Sequence, residues 1–176
     1  TKIIVPNTYE KNIFLEFSDP SKIEIVRNGV NLETLKIFTK DFKKKYELNC
    51  KFILFIGRFS KVKGIDVLLN TISIIKDRKE LQNFKFVIMG VDFGFQNEMY
   101  EMINNLDIKE KILVIKNPSR EDVIGAYKES EFLVLPSRWE LSPLTPLEGF
   151  AFKKSVISTN THGIPFTVKH GVQGIL

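Results

Sequence analysis

Phe52-Ile53-Leu54-Phe55-Ile56 is an unbroken apolar run closed by Gly57, and no other feature limits the fold of this 176-residue chain so sharply. A strand with one wet face alternates apolar and polar residues. A strand apolar at every position must be covered on both faces, the condition of a parallel sheet held between layers of helices. The residues beyond Gly57 keep that architecture. A helix is expected from about Ile65 to Lys79, because apolar residues at 65, 68, 69, 72 and 75 hold the 3.6-residue period. Phe84 to Met89, ended by Gly90, is the next strand, with a helix over roughly Gln96 to Asn105. Lys111 to Ile115 is a third strand, and Ser119-Arg120-Glu121-Asp122 caps a helix running to about Ser130. Phe132 to Leu135 is a fourth strand, followed by a helix to Lys153. Ser155 to Thr159 is a fifth, after which His162-Gly163-Ile164-Pro165 turns the chain back. Strict strand-helix alternation with short connections predicts an α/β fold with a doubly wound parallel sheet.

Ahead of the first run the pattern is different. Lys2 to Val5 is a short β-prone stretch, Pro6-Asn7-Thr8 is a turn and helix cap, and periodic apolar residues reach Phe17. Ile23 to Val26 reads as another strand, closed by the turn dipeptide Asn28-Gly29. Residues 31–50 are polar and partly helical. The chain begins at Thr1 and stops at Gly174-Ile175-Leu176, and both ends are expected to be cuts in a longer protein.

At this length about 70% of the unfolded surface can be buried, enough for one domain with its own core. Apolar residues make up 43% and charged residues 27%, no apolar run approaches the length of a membrane span, and no signal peptide is visible. A cytoplasmic location fits, with room for a peripheral membrane contact of the whole protein. Cys50 stands alone, so cysteine within this chain can build neither a disulfide nor a zinc site. The net charge of +5 invites a nucleic-acid or membrane-surface reading. Against it, the lysines are spread out, the run Lys43-Lys44-Lys45 sits in a polar stretch, and the aromatics are embedded in apolar strands.

The strongest site candidate is Pro136-Ser137-Arg138-Trp139-Glu140-Leu141-Ser142-Pro143-Leu144-Thr145-Pro146-Leu147-Glu148. It lies after a buried strand and leads into a helix. In an open α/β sheet, ligands lie outside the carboxyl ends of the strands, and every strand delivers its loop to that same edge. The loop Gly57-Arg58-Phe59-Ser60-Lys61-Val62-Lys63-Gly64 can therefore share a crevice with Glu140 and Glu148. As continuous helix those two acids would lie about 12 Å apart at about 1.5 Å per residue, a span suited to separate parts of one elongated ligand. Arg58 offers a rigid fork for phosphate, Lys63 a flexible point charge, and Gly57 and Gly64 let backbone come close to an anion. Thr145-Pro146-Leu147-Glu148 also reads as a capping box with proline at the first helical position, an account of Glu148 that needs no ligand.

Ser137, Glu140, Pro143, Leu144, Leu147, Glu148 and Ala151 resemble the "PS…E-x7-E-A" signature of retaining GT-B glycosyltransferases. These belong to glycosyltransferase family 4, or glycosyl transferases group 1, related to glycogen synthase. Gly57-Arg58 with Lys63-Gly64 looks like the family's "G-R-x4-K-G" motif, and Val26-Arg27-Asn28-Gly29-Val30-Asn31 resembles its "V-I-P-N-G-V-D" crossover between domains. The resemblance implies the C-terminal, Rossmann-like half of such an enzyme. Residues 1–30 would be the end of the preceding domain and the crossover, and residues 31–176 the donor-binding domain. It implies that Gly57, Arg58, Lys63, Ser142, Leu144, Thr145 and Glu148 bind a UDP-, GDP- or ADP-sugar. Arg58 and Lys63 would hold the diphosphate, Glu148 the ribose, and Glu140 with the backbone after it the transferred sugar. The reaction implied is hexose transfer with retention to an acceptor hydroxyl, catalysed by Glu140, Arg58 and Lys63, with no metal and no cofactor. The acceptor, a saccharide or a lipid-linked one, would be gripped by the missing N-terminal domain, so the fragment alone is expected to be inactive; no nucleic-acid partner is implied.

The chain departs from the family in places. Pro143 lacks the N–H that a glycine supplies in "E-G-F-G-L", Arg27 replaces a proline, Phe166 stands where "G-x-P-E" has an acid, and Gly90-Val91-Asp92 lacks a second glycine. These changes touch the identity of the donor sugar more than the reaction type. His162 is placed to touch a sugar or phosphate or to serve as a satisfied turn residue, and His170 has no assignment. Other readings stay open: a nucleotide-sugar epimerase, a phosphorylase or a two-carboxylate hydrolase on the same scaffold, or a basic non-catalytic binding module.

Overall fold

The structure, a computed structural model, describes residues 1–33 and 41–176. The part of the polar stretch at 34–40 lies outside the described residues. Two units are built. In the first, β1 (Ile3–Val5) and β2 (Ile23–Ile25) pair in parallel across α1 (Thr8–Phe14). Asn7 caps α1, its side-chain oxygen accepting from the Glu10 N–H.

The second unit contains α2 (Phe42–Lys45), β3 (Lys51–Ile56), α3 (Ile65–Ile75), β4 (Phe84–Gly90), α4 (Gln96–Asn105) and β5 (Ile112–Lys116). It continues through α5 (Arg120–Glu129), β6 (Leu133–Leu135), α6 (Leu144–Ala151), β7 (Val156–Ser158) and β8 (Gly174–Ile175). Its sheet has the order β5-β4-β3-β6-β7-β8, and every pairing is parallel. From β3 the chain moves outward to β5, then returns to the other side of β3 and moves outward again. That reversal is the doubly wound strand order, and it puts the topological switch point between β3 and β6.

The apolar run behaves as its composition requires. Phe52 and Leu54 face one core with Phe42, Met89, Ala126, Tyr127 and Leu133. Ile53 and Phe55 face the other with Ile65, Leu69, Ile72, Ile88 and Met99. Each core is a sheet face covered by helices, α5 on one side and α3 with α4 on the other.

Several boundaries differ from expectation. Helix α3 ends at Ile75 rather than Lys79, because the apolar stripe lapses in Lys76-Asp77-Arg78-Lys79 and leaves nothing to pack on the sheet; a separate 3-10 turn comes next at Lys79–Leu81. Helix α1 ends at Phe14 rather than Phe17, and Phe17 is 77% exposed. Strand β8 was not expected: it is two residues long, pairing Val156 with Gly174 and Ile157 with Ile175. The lysine run is not wholly a solvated face, since Lys45 pairs with the buried Asp122. Among the described residues no helix is long and apolar enough to cross a membrane.

Candidate active site at the switch point

The loops leaving β3 and β6 flank the switch point and are locked together. Gly64 has φ +68° and lies so close to the β6 loop that a Cβ there would sit 1.9 Å from the Pro136 carbonyl oxygen. The crossing of the two loops by itself requires a glycine there, whatever else its backbone approaches. Gly57 is different: its φ is ordinary and a Cβ would meet nothing nearer than 3.5 Å. The loops are further bound by Arg138, whose guanidinium grips Asp66 with two bonds of 2.7 Å and donates to the Lys61 carbonyl, while its N–H bonds the Val62 carbonyl. Hydrogen bonding to Arg138 holds the Asp66 carboxyl below its usual range.

That lock brings a cation and an acid into contact. Lys63 Nζ donates to Glu140 Oε1, and the Ser137 hydroxyl donates to the same oxygen at 3.0 Å. Glu140 is only 9% exposed and Ser137 fully buried. Among the described residues, Glu140 Oε2 has no hydrogen-bond partner. The ammonium has three donors and Glu140 takes one of them. A cation near a helix start, otherwise opposed by the dipole, is compensated by that carboxylate. Arg58 is exposed at the same loop, with its guanidinium 4.8 Å from the Phe93 ring centroid and no carboxylate paired with it among the described residues.

Glu148 departs from its expected local role. The first residue of α6 is Leu144, its N-cap is Pro143, and no side chain caps it. Thr145 is thus the second helical residue and Pro146 the third, where a missing N–H still costs no intrahelical bond. The predicted capping box does not form because the helix starts one residue before Thr145 and takes Thr145 inside it, and the Glu148 carboxylate bonds tertiary partners instead. Tyr127 Oη donates to Glu148 Oε2 at 2.8 Å, and Arg120 donates to Oε1 at 3.1 Å. Glu148 opens onto a cavity of about 220 Å³ lined also by Gly29, Asn31, Arg120, Leu144 and Phe152.

The first unit closes the other flank. Asn7 donates to the Leu141 carbonyl at 2.7 Å, and Asn28 donates to the Ser142 carbonyl and hydroxyl at 3.2 and 3.0 Å. Asn28 is therefore more than a turn residue. Arg27, Asn28, Ser142, Phe166 and Thr167 line a second cavity of about 130 Å³ beside them. His162, in the left-handed region with φ 48°, shares a hydrogen bond with Thr161 and packs edge-on against Tyr9 and Trp139. His170 accepts from the Leu176 N–H. Among the described residues no group of three or more His, Cys, Asp or Glu is placed to hold a metal ion.

Reading the sequence missed Arg138, Asp66, Arg120, Tyr127 and Asn7 as parts of this arrangement. Tyr127 left a trace, as a polar-tipped aromatic residue buried on α5 beside Ala126.

A basic loop and an acidic loop meeting at a switch point describe a place for an anionic, hydroxyl-rich ligand. Residues 37–176 match the family of glycosyl transferases group 1. The chain belongs to that family. An uncharacterized glycosyltransferase of Methanocaldococcus jannaschii is 30% identical over 178 residues, spanning 99% of this chain and 44% of its own. A D-inositol 3-phosphate glycosyltransferase of Mycobacterium sp. is 25% identical over 170 residues, 95% of this chain and 38% of its own. The chain thus spans about two-fifths of the length of these curated relatives. Among solved structures, the Anabaena protein HepE in complex with UDP-glucose superposes with a TM-score of 0.84 at 18% identity, over 99% of this chain and 49% of HepE. Sucrose-phosphate synthase of Thermosynechococcus elongatus does so with a TM-score of 0.81 at 20% identity, over 98% and 44%. The fold is that of the C-terminal Rossmann-like half of GT-B glycosyltransferases.

Proposed function

We propose that this chain is the donor-binding half of a retaining glycosyltransferase, in which residues 31–176 hold a nucleoside diphosphate sugar and residues 1–30 end the preceding domain. The observation that carries this reading is the contact of Lys63 with Glu140 across the β3/β6 switch point, with the exposed Arg58 on the same loop. The solved complex of HepE with UDP-glucose supports a ligand of this class.

The groups present set the chemistry. In transfer, the bond from the sugar's anomeric carbon to the diphosphate oxygen breaks, the acceptor hydroxyl's oxygen bonds to that carbon, negative charge builds on the departing phosphate, and the hydroxyl proton passes to that phosphate oxygen. Arg58 and the two free donors of Lys63 offset that charge, so no divalent ion is required at this step. Glu140, pinned by Ser137 and Lys63, keeps Oε2 for a hydroxyl of the transferred hexose. Ser142, Leu144 and Thr145 contribute backbone and hydroxyl groups beside it, Gly57 leaves room for the phosphates, and Glu148 takes the ribose hydroxyls. Pro143 withdraws one N–H from the sugar pocket. The acceptor, a saccharide or lipid-linked saccharide, is held by the preceding domain of a cytoplasmic or membrane-peripheral enzyme.

Calorimetric titration with UDP, GDP, ADP and their sugars tests this. One nucleoside series binds, and Lys63→Ala weakens it at least tenfold, as loss of a charge-assisted contact of about 1.5–3 kcal/mol requires. Equal binding by parent and Lys63→Ala, or no binding of any nucleotide, overturns the reading. Given donor and acceptor, NMR of the product anomer decides retention, and activity unchanged by a chelator supports a metal-free step.

A further inference from the structure

The Glu148 carboxylate is held more firmly than a solvent-facing helix residue needs. Its Oε2 receives the hydroxyl of Tyr127, a side chain 1% exposed on the inner face of α5. The Tyr127 ring lies parallel to Phe152, 6° between planes and 5.6 Å between centroids, so the hydroxyl has little freedom. Burial, then the neighbouring Glu148 charge, pushes ionisation of this phenol far above its ordinary range, and it stays a donor at every working pH. Arg120, half exposed, reaches Oε1 from the solvent side. A carboxylate offers about four lone-pair sites. Two are used here, leaving one on each oxygen, and Glu148 lines a cavity shared with Gly29, Asn31 and Phe152. At about 220 Å³ this cavity lies below the roughly 300 Å³ at which drug-sized ligands are enclosed, which suits a single pentose better than a whole nucleotide.

We infer that Tyr127 is a positioning residue that fixes the Glu148 carboxylate so that its two remaining lone pairs accept together from vicinal ribose hydroxyls, with Arg120 steadying the outer oxygen. This rests on the reading of Glu148 as the ribose acceptor. A tyrosine that only satisfies its own buried hydroxyl makes a different prediction, since its loss would act on folding and not on one part of the ligand.

The experiment compares binding of three probes, a ribonucleoside diphosphate, its 2′,3′-dideoxy analogue and inorganic pyrophosphate, to the protein and to Tyr127→Phe. In the parent the ribonucleotide binds roughly tenfold tighter than the dideoxy form, the scale of a hydrogen bond to a charged group. In Tyr127→Phe that ratio falls to about threefold or less while pyrophosphate affinity is unchanged, which also reports an intact crevice. A ratio undiminished in Tyr127→Phe, or an equal loss for all three probes, overturns the positioning role and leaves Glu148 as ribose acceptor. No ratio in the parent overturns the ribose reading itself and this inference with it.

Discussion

At the residue scale, Gly57 and Gly64 frame the same loop and are glycine for different reasons, which substitution separates. Gly64→Ala puts a methyl group against a backbone carbonyl at a positive φ, so the protein should lose about 2 kcal/mol or more in a denaturant titration. Gly57→Ala meets only ordinary contacts and should change stability by less than about 0.5 kcal/mol, while lowering nucleoside diphosphate affinity if phosphate approaches that backbone. Nucleotide binding unaffected by Gly57→Ala would remove Gly57 from the donor site. This difference was invisible in the sequence, where both residues are glycines flanking basic side chains. The meeting of Lys63 and Glu140 was legible because every strand of a parallel sheet delivers its loop to the same edge. Tyr127 and Arg120 were not, because their meaning depends on which side of α6 comes to face α5.

At the element scale, two ion pairs tie helices to what they pack on. Arg138 and Asp66 clamp the start of α3 to the β6 loop, and Arg138→Ala should cost about 1 kcal/mol, since the pair is bidentate but half exposed. In the full-length enzyme the same substitution should raise the KM for donor more than it lowers kcat, because the loop loses its anchor without losing a contacting group. A kcat loss with unchanged KM would contradict the clamp. Asp122 joins α2 to α5 through Lys45 and completes the capping box with Ser119. Burial pushes its carboxyl up, but Lys45 and Ser119 outweigh that and hold it below the ordinary value. A carboxyl depressed in the folded state adds stability above its unfolded pKa, about 3.9, and that contribution disappears as pH falls through the folded value. Asp122→Asn should therefore flatten the acid limb of a stability profile below about pH 4; an unchanged limb would show that the pair contributes nothing there. Capping at Ser119 could be read from the sequence because Ser and Asp three apart have few other uses. The false box at Thr145 shows the limit of that rule, since the helix begins one residue earlier, at Leu144, and leaves Thr145 no capping position.

At the scale of the whole molecule, strand and helix alternation was legible because apolar runs and helical periods are local signals, whereas strand order is set by which helices cover which face. Only the order β5-β4-β3-β6-β7-β8 decides that the basic loop after β3 and the acidic loop after β6 are neighbours. If that crevice is where the ligand sits, binding stabilises the whole sheet, because β3 and β6 hold both cores. A nucleoside diphosphate at one hundred times its Kd adds about 2.7 kcal/mol to the folded state. For a domain of this size each kcal/mol moves Tm by about 2–4 °C, so the melting temperature should rise by about 5–10 °C. The rise should survive 0.5 M salt in part, since Lys63 is largely shielded against Glu140, and at the same nucleotide concentration it should fall to about half or less in Lys63→Ala, where tenfold weaker binding leaves about 1.4 kcal/mol. A basic surface acting without a built site behaves differently: random oligonucleotides would give the larger shift, and salt would abolish it entirely. Melting curves with nucleotide and with oligonucleotide, at low and high salt, therefore separate a donor crevice from a merely cationic domain.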